Sequence, residues 1–509
     1  MAKRSRSDEA TLASGSEEQG AEVSPKMGLE RSGHGCAAGR IGAARSPPAQ
    51  EDRMSTENDS SPLWEETLDR RSALVKAGGV GAVLALGGLG GASRALAGPS
   101  QNAGKVTAFF GQFGGIAEQE GIRKYVFKGF RGDVDPVFAP ISNPALFVDR
   151  VRAEAKAGGK GNIDVLVGLH GDMVTFQNEG LISGVNDVTK QIKNLPAPLI
   201  KIGKLGTSNQ FYIPHSTATY VMVANKDVLK YMPKGANIDA LTYGQVFAWA
   251  KAIRKGTGQN RFGLPASDTG LLHRFLQGFL IPSFTGGFVT GFRSKEAVQA
   301  WGYMRQLWQY THPQSLTYAF MQDPLLSEEV LLGWDHVARL KTALDQRPDD
   351  LVAFPVPKGP KARSYMPVIV GLAIPKNAPN PAGAKALIRH MLTIGAQAQI
   401  LSLTGFFPAA SGRLSKSISP GLLAEAAAVR KQQKSPDSVQ ALLPIGIGAE
   451  GGNFSKIYRD TFTRIVRNNE NIQTVLKEQG DLLQEIFTKT GAPCWAPDPP
   501  SGKAPCRVK

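Results

Sequence analysis

The chain has 509 residues, with 59 Lys and Arg, 43 Asp and Glu, and a formal net charge of +16 at pH 7. This length exceeds one compact core, so we expect two packed units or one two-lobed body. Hydrophobic residues at 42% and charged residues at 20% are ordinary for a globular protein and exclude a fibrous one. The basic residues are scattered among acidic ones, so we expect no nucleic-acid partner.

Cysteine is rare, with Cys36, Cys494 and Cys506 as its only occurrences. Three thiols are too few for a disulfide scaffold, and they do not form a zinc or iron–sulfur motif, so we predict no metal and no cofactor. Cys494 and Cys506 flank a Pro-rich tail. They would close a small loop in an oxidising compartment, and two free thiols on a frayed end remain the alternative.

The first 53 residues are rich in Ser, Gly, Ala and charge and show no apolar periodicity. This composition predicts a disordered segment. Met54 begins a stretch with the proportions of an export leader, so the alternative is that translation starts there and residues 1–53 are an artefact of a misplaced start.

Residues 54–97 have the features of an export signal. Arg70-Arg71 stands in a context that resembles the twin-arginine motif, and an apolar, glycine-diluted run at 77–92 leads to Ala95-Leu96-Ala97. We predict cleavage after Ala97, a periplasmic location and the twin-arginine translocase as a partner during export. A membrane-spanning helix is the alternative, but sixteen residues fall short of the roughly 20 needed to span a bilayer.

The mature chain begins with alternating strands and helices. Apolar runs at 105–110, 134–139 and 162–167 predict strands, and amphipathic stretches at 116–130 and 144–157 predict helices between them. Short, fully apolar strands in this order are typical of a parallel sheet covered on both faces.

Ligands of such sheets bind at the carboxyl ends of the strands. Polar or aromatic side chains follow each predicted strand here, and we take them as candidate ligand-binding residues: Gln112, Phe113, Ser142, Asn143, His170 and Asp172. Solvated loop residues are the alternative interpretation.

A longer strand is predicted at 210–224, and its centre is unusually polar. His215, Ser216, Thr217 and Tyr220 in this centre are further candidates for ligand binding. The rest of the chain predicts mostly helices, at 241–254, 294–310, 381–393, 419–432 and 461–489, with strands near 328–333, 352–357 and 366–374. Enzyme motifs with characteristic spacing are missing from the sequence, so we expect no catalytic residue and no enzyme.

The order of several segments resembles the maltose-binding-protein type of extracellular solute-binding proteins, over most of 105–410. The segments that carry the resemblance are 121–130, 163–167 with His170, 179–182, 224–229, 241–246 and 370–376. Each motif is weak alone, and their common order and spacing make the match specific.

The resemblance implies an α/β fold of the periplasmic-binding-protein-like class II, in which crossover strands join two lobes and act as a hinge around a ligand cleft. The implied N-terminal lobe comprises 98–217 and 369–410, and the C-terminal lobe 218–368 and 411–490, before a Pro-rich tail at 491–509. The crossovers would lie at 216–219 and 368–371. The implied role is that of a monomeric substrate-binding component of an ATP-binding-cassette (ABC) importer, which delivers its solute to the permease subunits.

By the same resemblance, Trp334 would stack on a sugar ring at a strand-to-helix turn, with Asp335 beside it for hydroxyl groups. Core packing is the alternative for Trp334. Ala218 replaces an acidic residue that the maltose binder carries in its crossover, so the ligand stays open. A sugar or oligosaccharide is the favoured class, with a polyamine, a phosphate ester or the substrate of a secreted carbohydrate-active enzyme as alternatives.

Overall fold

A computed structural model describes residues 102–113, 115–140, 145–412, 414 and 418–509. The predicted disordered segment 1–53 and the predicted signal peptide 54–97 lie outside the described residues, as do Ser142 and Asn143.

The strands form two larger sheets and one small one. In chain order the strands are β1 (Lys105–Phe110), β2 (Asp133–Phe138), β3 (Val165–Leu169), β4 (Tyr212–Ala218), β5 (Tyr220–Asn225), β6 (Phe262–Gly263), β7 (Leu332–His336), β8 (Leu351–Phe354), β9 (Arg363–Tyr365), β10 (Val368–Ala373), β11 (Phe407–Pro408) and β12 (Ser438–Gln440).

The helices cover the sheets and fill the second half of the chain. They are α1 (Ile116–Gly121), α2 (Ala145–Ala157), α3 (His170–Asn178), α4 (Asn186–Gln191), α5 (Ala197–Gly203), α6 (Tyr243–Thr257), α7 (Leu272–Phe275), α8 (Ile281–Thr285), α9 (Lys295–Trp308), α10 (Gln322–Leu326), α11 (Val337–Gln346), α12 (Pro381–Met391), α13 (Ile394–Thr404), α14 (Pro420–Lys434), α15 (Gly451–Phe462) and α16 (Ile472–Thr490). Among the helices of the described residues, none is both long and apolar enough to cross a membrane.

The first sheet has six strands in the order β11-β4-β10-β3-β1-β2. β1 pairs in parallel with β2 and β3, as the alternating strand and helix pattern predicts. β10 returns from the far half of the chain and pairs antiparallel with β3 and β4. Alternate β1 side chains pack into different apolar clusters, so both faces of this sheet are covered.

The second sheet has four strands in the order β6-β7-β5-β8. The chain passes from the first sheet to the second at Thr219, between β4 and β5, and returns just before β10. The Thr219 hydroxyl donates a hydrogen bond to the carbonyl of Met366 at 2.9 Å, which joins the two passages. Ala218 and Val368 pair with each other in the first sheet, so the two segments predicted as crossovers lie side by side.

Three of the predicted elements differ most from the structure. The single strand at 210–224 is two strands, because its direction changes between sheets at Thr219. The helix at 461–489 is broken between Arg467 and Ile472, where Asn471 caps the start of α16. The strand at 328–333 is shifted to Leu332–His336, so Trp334 lies inside a strand and not at the turn after it.

The C-terminal tail is fixed to the body of the protein. Cys494 and Cys506 form a disulfide, so of the two predicted possibilities the structure shows the closed loop and not two free thiols. Asp498 is buried and accepts backbone N–H bonds from Phe288, Val289 and Thr290. The tail therefore holds the loop that follows α8.

Candidate functional site

The register of the first sheet brings the predicted strand ends together. Val370 in β10 pairs with Leu169, the last residue of β3, on one side and with Ser216 of β4 on the other. His170 and Asp172 begin α3 directly after β3, so they lie at the same edge as Ser216. This edge agrees with the expected position of a ligand at the carboxyl ends of parallel strands.

The first wall of the candidate site consists of Glu118, His170 and Asp172, which lie on helices that follow β1 and β3. His170 Nδ1 lies 2.8 Å from the hydroxyl oxygen of Tyr212. Asp172 accepts the backbone N–H of Leu169 at 3.0 Å, and Glu118 accepts a backbone N–H at 3.1 Å. Burial raises the pKa of the Asp172 carboxyl to about 6 and also raises that of Glu118.

The second wall consists of Tyr220, Asp335, Arg274 and Arg339, which belong to the second sheet and its helices. Asp335 is fully buried and accepts backbone N–H bonds from His336 at 2.7 Å and Met321 at 2.9 Å. Burial raises its pKa to about 6. Burial also raises the pKa of Tyr220 to about 12, and the charges of both arginines oppose this shift.

The two walls interact electrostatically. Arg274 on α7 lowers the pKa of Asp172, against the larger effect of burial. Arg339 on α11 has the same effect on Glu118. Each arginine of the second wall therefore acts electrostatically on a carboxylate of the first wall, so the candidate site combines charges of both signs.

Sequence reasoning missed these arginines. Arg459 on α15 joins them, because its Nη2 lies 3.0 Å from Nδ1 of His273 and its charge lowers the pKa of Arg274. The one available signal is His273-Arg274, a polar pair inside the largely apolar segment 271–282. Arg459 follows Arg274 by almost two hundred residues, and spacing alone does not connect them.

Trp334 has no exposed face in this structure. Its ring is stacked on Tyr220 at 4.7 Å between centroids, and the ring centroids of Phe275 and Phe279 lie 5.1 Å from its own in edge-to-face orientation. Its relative exposure is 0%. The structure thus gives Trp334 the core position that was the alternative interpretation, and its stacking on a ligand stays a prediction without support from this geometry.

Other predicted site residues are partly or fully withdrawn from the cleft surface. Gln112 is half-buried, and its side chain donates to the carbonyl of Gly111 at 2.7 Å. Phe113 is buried and packs edge-on against Phe406 at 5.1 Å. His215 and Thr217 are also buried, and neither ring nitrogen of His215 has a hydrogen-bond partner among the described residues.

Metal binding has no basis in the part of the chain that the structure describes. Within it, no group of three or more His, Cys, Asp or Glu side chains is arranged to hold a metal ion. The site is therefore described by hydrogen-bonding, charged and aromatic groups alone.

Solved structures share this fold at low sequence identity. T. maritima MalE3, with maltose bound, is 18% identical with a TM-score of 0.61, and the match covers 75% of this chain and 100% of that chain. The GacH receptor of Streptomyces glaucescens, solved unliganded and with acarbose, is 16% identical with a TM-score of 0.59, covering 76% and 98%. UgpB from Mycobacterium tuberculosis, in complex with glycerophosphocholine, is 15% identical with a TM-score of 0.58, covering 76% and 98%.

The family model of bacterial extracellular solute-binding proteins matches residues 114–398, more than half of the chain. No curated protein sequence matches the chain. The predicted fold class is confirmed: the described residues have the α/β fold of class II periplasmic binding proteins, with two lobes joined by crossover strands. The chain belongs to the family of bacterial extracellular solute-binding proteins.

Proposed function

We propose that this protein captures a sugar or another small polyhydroxylated solute between its lobes and delivers it to the permease subunits of an ABC importer. The observation that carries the proposal is that positive charges of the second lobe act on carboxylates of the first, Arg274 on Asp172 and Arg339 on Glu118, beside the crossover strands that join the lobes. A solute between these pairs touches both lobes only when they close, so its binding energy shifts the equilibrium toward the closed form.

The chemistry of the walls suits hydroxyl groups. Carboxylates accept two hydrogen bonds and arginines donate several, so together they bind neighbouring hydroxyls in a bidentate manner. The solved structures with maltose and acarbose support a carbohydrate for this chain. The arginines disfavour a polyamine because like charges repel. The family is one of binding proteins, which supports a role without catalysis.

We propose as ligand-binding residues those of the two walls, together with the nearby residues that the sequence predicts to bind the ligand. His170, Asp172, Ser216, Tyr220 and Asp335 lie on or beside the walls. Gln112, Ser142 and Asn143 follow the first and second strands and are kept as proposed contacts on their position in the sequence. Tyr220 is buried with its ring stacked on Trp334, so neither ring presents an aromatic face to a solute in this structure.

The proposed lobe boundaries are those that the family resemblance implies. Residues 98–217 and 369–410 form the N-terminal lobe, and 218–368 and 411–490 form the C-terminal lobe. The strands support this division, since β1 to β4, β10 and β11 belong to the first sheet and β5 to β8 to the second. The hinge is proposed at 216–219 and 368–371.

Export to the periplasm through the twin-arginine pathway is part of the proposal, with cleavage after Ala97 and a monomeric mature protein. The disulfide between Cys494 and Cys506 supports an oxidising compartment, because disulfides are rare in reducing ones. The family description supports an extracellular location.

A thermal-shift screen of the purified protein tests the function. The solutes are monosaccharides, maltose and longer oligosaccharides, polyols, polyamines and phosphate esters. A ligand at 100 times its dissociation constant adds about 2.7 kcal/mol of stability, which raises the melting temperature by a few degrees. Stabilisation by polyamines and by no sugar or sugar derivative would contradict the proposal.

A further inference from the structure

One segment of the second lobe crosses over to the first lobe. Residues 441–447, here called the strap, follow β12 and lead into a helical turn at Gly448–Glu450. The strap contains no charged or polar side chain. Ala441, Leu443 and Ile447 are buried, so the strap is packed against the body of the protein, unlike a surface loop with solvated side chains.

The strap touches the first wall of the candidate site. A methyl group placed on Gly171 would lie 2.5 Å from the carbonyl oxygen of Pro444, so these two backbones are in direct contact. Gly171 stands between His170 and Asp172 at the start of α3. The turn after the strap also packs against α2 and α3. The strap therefore spans from the second lobe to the segment of the first wall that carries His170 and Asp172.

This contact explains the glycine at position 171. Gly171 is the second residue of α3, and within a helix alanine is more favourable than glycine. A side chain there would meet the Pro444 carbonyl, which belongs to the backbone and cannot rotate aside. Gly395 is the second residue of α13, and a methyl group on it would have nothing within 4 Å among the described residues. The strap therefore requires a glycine at position 171, whereas no described neighbour requires one at position 395.

The other side of the strap is fixed to the second lobe. β12, which precedes the strap, pairs in parallel with β9. The Ala441 N–H donates to the carbonyl of Tyr365 at 2.8 Å and so continues this pairing. The Leu442 N–H donates to the carbonyl of Ala496 at 3.0 Å, and the Trp495 ring N–H donates to the Leu442 carbonyl at 3.2 Å. The strap is thus held between β9 and the C-terminal tail.

The tail that holds the strap is itself fixed by a disulfide and by aromatic contacts. Cys494 and Cys506 close the loop that contains Ala496. Trp495 packs against three aromatic rings of the second lobe, at centroid distances of 5.6, 5.9 and 5.7 Å: Phe288, Phe454 and Phe487. Because Cys494 directly precedes Trp495, the disulfide restrains the residues that bind Leu442. The attachment of the strap to the second lobe therefore depends on the closed tail.

We propose that the strap is a third wall of the solute site, which the disulfide-closed tail holds over His170 and Asp172. This inference rests on the proposed function and extends its site. Ligand sites are mostly apolar with a few polar groups, and an apolar strap beside two polar side chains fits that description. Because the strap is fixed to the second lobe and touches the first, its contact with Gly171 closes the site on this side. It keeps water from the first wall and slows the departure of the solute.

Alkylation of a cysteine in the first wall tests the position of the strap without any solute. H170C supplies the thiol, and mass spectrometry of its peptide gives the rate of its reaction with iodoacetamide. Adding G171A displaces the Pro444 carbonyl, so the thiol should react roughly tenfold faster. G395A is the matched control, because it adds the same methyl group at the same helical position without a neighbour among the described residues, and it should leave the rate unchanged.

The role of the tail is tested by C494S together with C506S. Loss of the disulfide frees the residues that hold Leu442, so the H170C thiol should react faster here too, although the first wall is otherwise unchanged. Melting curves of every variant show whether it is folded.

Maltose measures the effect of the strap on solute retention, in variants that keep His170. G171A, and separately C494S with C506S, should weaken maltose binding roughly tenfold, mainly through faster dissociation. G395A should bind maltose as the unchanged protein does. Calorimetry gives the affinity, and stopped-flow fluorescence gives the dissociation rate.

Each outcome decides a different claim. Equal alkylation rates with G171A and with G395A would overturn the third wall. An effect of G171A without any effect of the two serine substitutions would overturn the role of the tail. Faster alkylation with unchanged maltose dissociation would overturn solute retention by the strap. If the unchanged protein does not bind maltose, the thermal-shift screen judges the proposed function, and the alkylation rates alone decide this inference.

Discussion

The rings of Tyr220 and Trp334 lie parallel, 1° apart in orientation and 4.7 Å apart between centroids. Tyr220 begins β5 and Trp334 lies on β7, and the two strands pair in the second sheet. The stacked pair therefore joins the hinge, where β5 begins, to the strand that carries Asp335. Because one face of Trp334 is occupied by Tyr220 and its other contacts are Phe275 and Phe279, the pair is part of the second lobe's core.

Trp334→Ala is expected to reduce stability more than it reduces affinity. Deleting a buried tryptophan leaves a cavity and costs about 3–5 kcal/mol of unfolding free energy. Denaturant melts measure the loss, and Trp334→Phe should recover part of it. The reverse result, a nearly unchanged melt with a roughly 10-fold weaker solute affinity, would return Trp334 to the ligand-stacking role that its position in the sequence predicted.

A second prediction concerns the contact between Asp498 of the tail and the loop after α8. Asp498→Ala removes the acceptor of three backbone N–H groups and of the Thr290 hydroxyl, which would stay buried without a partner. We expect a loss of about 2–4 kcal/mol in unfolding free energy, measured by denaturant melts. Asp481→Ala is the control, because this exposed aspartate pairs with Arg293 at the surface and should cost less than about 1 kcal/mol. A similar small loss for both variants would refute the role of the tail.

His170 and Asp172 of the first wall could be predicted from sequence because they follow a local rule, whereas Glu118 was not among the predicted residues. Polar residues after short apolar strands lie at one edge of a parallel sheet, and His170 and Asp172 do so here. The second wall depends on contacts between distant segments. Arg459 contacts His273, the neighbour of Arg274, because α7 and α15 pack together, and no periodic pattern in either segment encodes that contact.

The misplacement of Trp334 has a different physical cause. A tryptophan after a glycine is compatible with both a turn and a buried strand, since the indole is large, apolar and carries one polar N–H. The deciding factor was the pairing of Trp334 with Met222 in β5, a contact between residues more than a hundred positions apart. The polar centre of 210–224 predicts ligand binding for a similar reason, although His215 is buried in the interior of the first lobe.

Export should depend on the paired arginines of the leader. Arg70→Lys with Arg71→Lys should retain the precursor in the cytoplasm, because the twin-arginine pathway is selective for that pair. Fractionation of the producing bacterium, with an antibody against the mature protein, measures the result. Mass spectrometry of the exported form should give Gly98 as its first residue. Undiminished export of the double variant would contradict the pathway assignment.

Solute binding should close the two lobes about 216–219 and 368–371. Small-angle scattering should give a smaller radius of gyration with the tightest solute of the thermal screen than without it. Thr219→Val removes the hydrogen bond between the two passages of the chain, so it should change the closure equilibrium more than it changes the fold. An unchanged radius of gyration at saturation would argue against closure.

Stability should fall as the pH drops from about 6.5 to about 4, and His215 should account for part of the loss. Burial lowers the pKa of His215 to about 4. In this window the unfolded chain binds a proton at His215 and the folded chain does not, so lower pH favours unfolding. Burial also lowers the pKa of His336, to about 3, which adds in the same direction.

Asp172 has the opposite effect on the pH dependence of stability. Its pKa is raised to about 6, so between about 4 and 6 the folded chain binds a proton that the unfolded chain has lost, and lower pH favours folding. His215→Leu should therefore flatten the pH dependence of the melting free energy by up to about 1.4 kcal/mol per pH unit, whereas Asp172→Asn should steepen it. Denaturant melts without ligand at a series of pH values measure both slopes. If the unfolding free energy changed equally with pH in both variants and in the unchanged protein, neither residue would be as deeply buried as the structure shows.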